Sequence, residues 1–122
     1  MILILDYDSD ILSMLKRVVE ENGYQAITAN NSEAAIDILV LGAITKVMAH
    51  WRLDNDGEAC GRVLKAALAA GLKHTDLCVT TNNPKFMDEA QEEHPRFRYL
   101  LKRITVLTKP YRLQQILDFA AN

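Results

Sequence analysis

Cysteine is scarce in this chain of 122 residues, and the two present, Cys60 and Cys78, form neither a CxxC pair nor a metal-ligand spacing. With only three scattered histidines, they read as small buried hydrophobes of a protein from a reducing compartment. Charge of one sign is lacking as well, since 14 Lys+Arg stand against 16 Asp+Glu. No global positive field exists to gather nucleic acid, so nucleic acid is not the expected partner. No apolar stretch approaches the ~20 residues that cross a bilayer. The opening Met-Ile-Leu-Ile-Leu-Asp has no basic segment ahead of its apolar run, so a signal peptide is not expected either. No glycine-rich phosphate loop follows that run, which counts against a nucleotide cofactor. What is present is 49% apolar residues, enough for a chain of this length to bury a core without staples. One cytoplasmic domain over residues 1–122 is the expectation.

Apolar runs and helical patterns alternate along the chain. Ile2 to Leu5 is wholly apolar and ends in Asp6, as a strand buried on both faces requires. Asp8 or Ser9 then caps a helix carrying Ile11, Leu12, Leu15, Val18 and Val19 at helical spacing, with Gly23 at its end. Tyr24 to Thr28 reads as a second strand, Asn31 or Ser32 opens a helix through Leu39, and Ile44 to His50 reads as a third strand. A polar loop from Leu53 to Gly57 leads into a helix over Glu58 to Ala70. Leu77 to Thr81 is the fourth strand, Asn82-Asn83-Pro84 a turn and helix start, and helical character runs on to Glu93. Ile104 to Thr108 is the fifth strand and Tyr111 to Ala120 the last helix, bearing Leu113, Ile116, Leu117 and Phe119. Five such alternations predict an α/β fold: a doubly wound, five-stranded parallel sheet with helices on both faces. Ligands gather at the carboxyl ends of such strands, where Asp6, Tyr7, Asp8, His50, Thr81, Asn82 and Lys109 fall. More residues lie between Thr81 and Lys109 than one helix and one strand need. The surplus, Arg96 to Arg103, reads as a basic helical turn or two with Phe97, Leu100 and Leu101 facing inward.

The opening Ile-Leu-Ile-Leu-Asp-Tyr-Asp-Ser-Asp-Ile, Glu21-Asn22-Gly23-Tyr24, Trp51-Arg52-Leu53 with Asp56-Gly57, Val79-Thr80-Thr81 and Leu107-Thr108-Lys109-Pro110 together resemble a bacterial response-regulator receiver domain, of the CheY-like (βα)5, flavodoxin-like kind. The resemblance spans nearly the whole chain. It implies two adjacent acids after the first strand that hold Mg²⁺ together with a phosphoacceptor aspartate ending the third strand. A hard divalent cation wants several oxygen ligands and neutralises charge on a phosphoryl group in transfer. Asp6 matches the first acid, but Tyr7 stands at the second, and a phenol is neutral near pH 7. His50 stands at the phosphoacceptor. Thr81 matches the hydroxyl residue that reports phosphorylation, Lys109 the lysine that pairs with the phosphoryl group, and Lys109-Pro110 the family's cis peptide. Asn82 replaces a usually small residue, Val106 stands at the aromatic switch position, and the loop from His50 to Gly57 is one residue short. A degenerate phosphoacceptor pocket is therefore expected, with no catalytic role and with Mg²⁺ bound weakly or not at all, Asp6 being the residual ligand.

Each residue also has a plainer reading. Asp6 and Lys109 are read first as a structural ion pair, and His50 as a hydrogen-bonded histidine filling the old pocket. The sharper alternatives for His50 are a phosphohistidine, a metal ligand with Asp6 and Asp8, or a pH sensor. Asp54 and Asp56 are alternative phosphoacceptors, or simply loop solvation and caps ahead of Glu58. Thr81 can bond neighbouring backbone, and Trp51 is expected to cover the acid site. Arg96, Arg98, Lys102 and Arg103, joined by Arg112, are either a grip for an acidic partner or a nucleic-acid phosphate, or a solvated face paired with nearby glutamates. The resemblance implies docking through the fourth helix, fifth strand and last helix, here Pro84 to Ala121. The partner expected there is a protein: a sensor kinase, a regulator or a second copy in a homodimer. The expected function is thus a non-enzymatic module of two-component signalling that works by contacts independent of phosphorylation. An unconventional but active receiver and a small-ligand or pH-sensing binder are the alternatives.

Overall fold

The computed structural model describes residues 1–52 and 57–122, so the sequence reading of the Leu53–Gly57 loop, with Asp54 and Asp56, falls largely outside the described residues. Five strands, β1 (Ile2–Leu5), β2 (Ala26–Ala29), β3 (Lys46–His50), β4 (Leu77–Thr81) and β5 (Thr105–Thr108), form one sheet in the order β2-β1-β3-β4-β5. Every pairing is parallel. Six α-helices lie among the described residues: α1 (Ser9–Glu21), α2 (Ser32–Val40), α3 (Gly57–Ala69), α4 (Phe86–Glu93), α5 (Arg98–Leu101) and α6 (Leu113–Ala121). The doubly wound parallel sheet expected from the alternation is the observed fold.

Side chains of successive strand residues point to opposite faces, and this divides the core in two. Leu3, Leu5, Val47, Ala49, Leu77 and Val79 face α2, α3, α4 and the segment after it. Ile2, Ile4, Met48, Cys78 and Leu107 face α1 and α6. Burial on both faces explains why β1, β3 and β4 lack polar alternation. The helix starts obey local chemistry. The Asp8 carboxylate accepts from the Asp10 and Ile11 amides at 2.9 and 3.3 Å, and Asn31 Oδ1 accepts from Ala34 N at 2.8 Å. Gly23, at φ 91°, ends α1 in the left-handed conformation that a side chain would oppose. Both cysteines are free and buried, and burial pushes the Cys78 thiol up to about 12 and Cys60 further still.

Several element boundaries differ from the sequence reading, for identifiable reasons. Tyr24 does not join β2, because its amide closes the α1 terminus on Val19 O at 3.1 Å, so β2 begins at Ala26. The third strand starts at Lys46, after Thr45 N has bonded Met1 O at 2.9 Å. The last helix starts at Leu113, where Gln115 Oε1 accepts from Arg112 N at 2.7 Å, and it leaves Leu113 exposed. The surplus segment is helical as expected, a 3₁₀ turn at Pro95–Phe97 followed by α5, with Phe97, Leu100 and Leu101 buried. Phe97 lies over Gly61 of α3, where a methyl group would overlap its ring.

Candidate phosphoryl-transfer corner

Register brings the candidate residues to one end of the sheet. Leu5 pairs with Ala49, so Asp6 and His50 follow side by side, and His50 pairs with Thr80. Thr81 pairs with Thr108, and Lys109 N donates to Thr81 O at 2.7 Å. Asp6 is buried, and both its oxygens are engaged. Oδ1 accepts from Asp8 N at 3.1 Å and Oδ2 meets Lys109 Nζ at 3.1 Å. The ion pair spans the full width of the sequence, and the Lys109–Pro110 peptide that follows it is cis. Thr81 is buried with its Oγ1 accepting from Asn83 N at 3.1 Å, while Asn82 is exposed. Val106 is half-buried against the core facing α2, α3 and α4.

His50 is 3% exposed. Its Nδ1 accepts the Arg52 amide at 3.2 Å, which assigns the proton of a neutral ring to Nε2. Nε2 has no hydrogen-bond partner among the described residues. Burial holds the imidazole below its ordinary value. The charge of Asp6 opposes that shift, and those of Lys109 and Arg52 reinforce it. With the folded value depressed, the unfolded chain binds the extra proton first. Stability from this group is present above 6.5 and is lost as the pH falls through the folded value. An NMR titration of the His50 ring is expected to give a midpoint below 6.5. A midpoint above that value would contradict the burial argument.

One aromatic residue sits differently from the sequence reading. Trp51, expected to cover the acid site, turns into the core instead, edge-on to Phe86 at 5.2 Å and near His94 and Phe97. The ring beside His50 is Tyr7, edge-on at 5.2 Å and 55% exposed. Tyr111 was missed. It is packed against the core that faces α1 and α6, and its phenol is pushed up to about 12 by burial and by the charges of Asp6 and Cys78. Its place right after Lys109-Pro110 was the available signal.

The cationic residues divide. Arg96 pairs with Glu58 of α3, as the solvated-face reading expects. Arg98, Lys102 and Arg103 have no ion pair among the described residues. Arg112 does not line the groove that Arg96, Arg98, Lys102 and Arg103 share.

No protein-family model matches the chain, and no curated protein matches it in sequence. Solved structures do. A response regulator receiver protein from Sinorhizobium medicae superposes with a TM-score of 0.76 at 18% identity, covering 98% of this chain and 90% of that one. The fold is the receiver fold. A CheY-like receiver domain from Methylobacillus flagellatus gives a TM-score of 0.73 at 13% identity, over 98% of this chain and 94% of that one. A de novo designed Rossmann 2x3 protein also matches, with a TM-score of 0.64 at 18% identity over 96% of this chain and 82% of that one. At these identities the likeness concerns architecture, and a designed protein among the matches shows that the architecture alone carries no activity. Among the described residues no helix is long and apolar enough to cross a membrane.

Proposed function

We propose that residues 1–122 form a receiver-like module of two-component signalling that has lost phosphoryl transfer and acts through protein contacts. The observation that carries this reading is the side chain at the end of β3, where a buried, neutral His50 occupies the position of the phosphoacceptor. Its Nδ1 lone pair is engaged by the Arg52 amide, and its Nε2 carries the proton. It therefore offers no free lone pair to a phosphoryl donor, which argues against a phosphohistidine as well.

The donor set does not fit Mg²⁺. A hard cation needs several oxygens, and among the described residues Asp6 supplies the one buried carboxylate, with Oδ2 already on Lys109. The Asp8 carboxylate caps α1, and Tyr7 brings a neutral phenol. Without a cation, nothing screens an incoming phosphoryl group from Asp6. Lys109, free to pair with a phosphoryl group in an active receiver, is here the counter-ion that makes a buried Asp6 tolerable. The module is therefore not an enzyme on this reading.

The test is incubation of the full chain with acetyl phosphate and Mg²⁺, followed by intact-mass measurement. Unchanged mass is expected. A product heavier by one phosphoryl group, mapping to His50, Asp54 or Asp56, would establish the active-receiver alternative.

A further inference from the structure

We propose that the surplus segment Pro95–Arg103 is a docking groove for a short acidic segment of a partner protein, with Tyr99 as its apolar contact. The proposal rests on the reading that the chain works through protein contacts, and it assigns the chemistry of the partner. A groove of about 420 Å³ is lined by Pro95, Arg96, Arg98, Tyr99, Lys102 and Arg103; no carboxylate is in the lining, though Arg96 is paired with Glu58 of α3. Tyr99 is 64% exposed, although its helix neighbours Phe97, Leu100 and Leu101 are buried. The helix is thus anchored from below and presents one aromatic ring outward. The Arg103 guanidinium stacks 3.2 Å from the centroid of that ring, and its Nη1 donates to Tyr99 O at 2.9 Å. A guanidinium fixed in this way loses little freedom on meeting a carboxylate. Arg98 and Lys102 lack ion-pair partners among the described residues, so a partner's carboxylates would not have to displace an existing pair.

The surroundings select a protein segment over a nucleic acid. On the far side of Arg98 and Lys102 a second groove is shared with Asp88 and Glu92 of α4. These carboxylates line the same groove as Arg98 and Lys102, and exposed charges are felt over ~10 Å in moderate salt. A uniform polyanion running across the segment would meet them, in a chain whose net charge is −2. A peptide with acidic side chains over Lys102 and Arg103 and a basic one over Asp88 and Glu92 satisfies both sides.

The experiment uses the full chain and three fluorescein-labelled probes read by anisotropy. These are a short peptide alternating Glu with Leu and ending in Lys, the same peptide with Gln for Glu, and single-stranded oligothymidylate. The Glu peptide is expected to bind about tenfold or more tightly than the Gln peptide, weakening as salt rises. Lys102→Glu with Arg103→Glu, and separately Tyr99→Ala, are expected to weaken it about tenfold with the thermal unfolding midpoint unchanged. Equal binding of the two peptides, tighter binding of oligothymidylate, or indifference to the charge reversal would each overturn the groove. The phosphorylation test is independent. A silent peptide with an unmodified chain removes this groove alone, whereas a phosphoryl adduct with peptide binding intact removes the reading of the sheet corner alone.

Discussion

Lys109→Met is expected to lower folding stability by about 3 kcal/mol or more, since removing one partner of a buried pair leaves the other charge uncompensated. Asp6 is the partner left behind, with its side chain 1% exposed and, among the described residues, the Asp8 amide alone still bonded to it. For a domain whose whole stability is roughly 5–15 kcal/mol, this is a large fraction. The paired variant Asp6→Asn with Lys109→Met removes both charges and is expected to recover most of the loss. Urea denaturation of the two variants beside the parent chain measures the difference. A single variant no worse than the double would mean that Lys109 is not the counter-ion, and its ammonium would then be free to meet a phosphoryl group.

Phe97→Ala is expected to cost about 3–5 kcal/mol, the usual loss for a fully buried aromatic residue. Phe97 is 1% exposed and is the anchor beneath the surplus segment, meeting Trp51 at 6.3 Å, with Lys65 and Arg96 over its ring at 5.0 and 4.8 Å. Gly61 supplies a second handle on the same contact. In the parent chain Gly61→Ala forces a methyl into the ring, at a cost of about 1–3 kcal/mol for overpacking. It also recovers the roughly 1 kcal/mol that glycine costs inside a helix, so the net effect is a smaller destabilisation. Once Phe97 is alanine, the overlap is gone and Gly61→Ala is expected to stabilise. That reversal of sign, read by thermal or urea unfolding of the four chains, identifies the contact. Additive effects would show that α3 and the surplus segment do not meet through this pair.

The architecture was legible because local and global signals agree. β1 is apolar throughout and β3 and β4 are buried along their whole length, since helices cover both faces of the sheet, and the caps Asp8 and Asn31 mark where helices begin. Errors fell where a hydrogen bond outside the element decided the boundary, as at Tyr24, Thr45 and Arg112. At the sheet corner, the Asp6–Lys109 pair was legible because strand ends in a parallel sheet converge, whatever their separation in sequence. The direction of Trp51 was not. Pattern places an aromatic after β3 but does not say which of two cores it enters, and the rings that receive it come from α4 and its end (Phe86, His94) and from the surplus segment (Phe97). Lys46 shows the same limit. It reads as an ordinary strand residue, yet its ammonium is buried, donating to Asn122 O at 2.6 Å and lying 3.5 Å from Asp76, partners far away in the chain.

The most direct test of the central claim is a titration of the isotope-labelled chain with Mg²⁺ and then with beryllofluoride, a phosphoryl mimic. Backbone signals of Asp6, Thr81 and Lys109 and the ring signals of His50 report on the corner. The signals are predicted to stay in place with either addition, because on the proposed reading the one buried carboxylate among the described residues is already paired with a lysine and leaves too few oxygens for the cation that the mimic requires. Saturable shifts at all three residues, requiring both reagents together, would contradict the account.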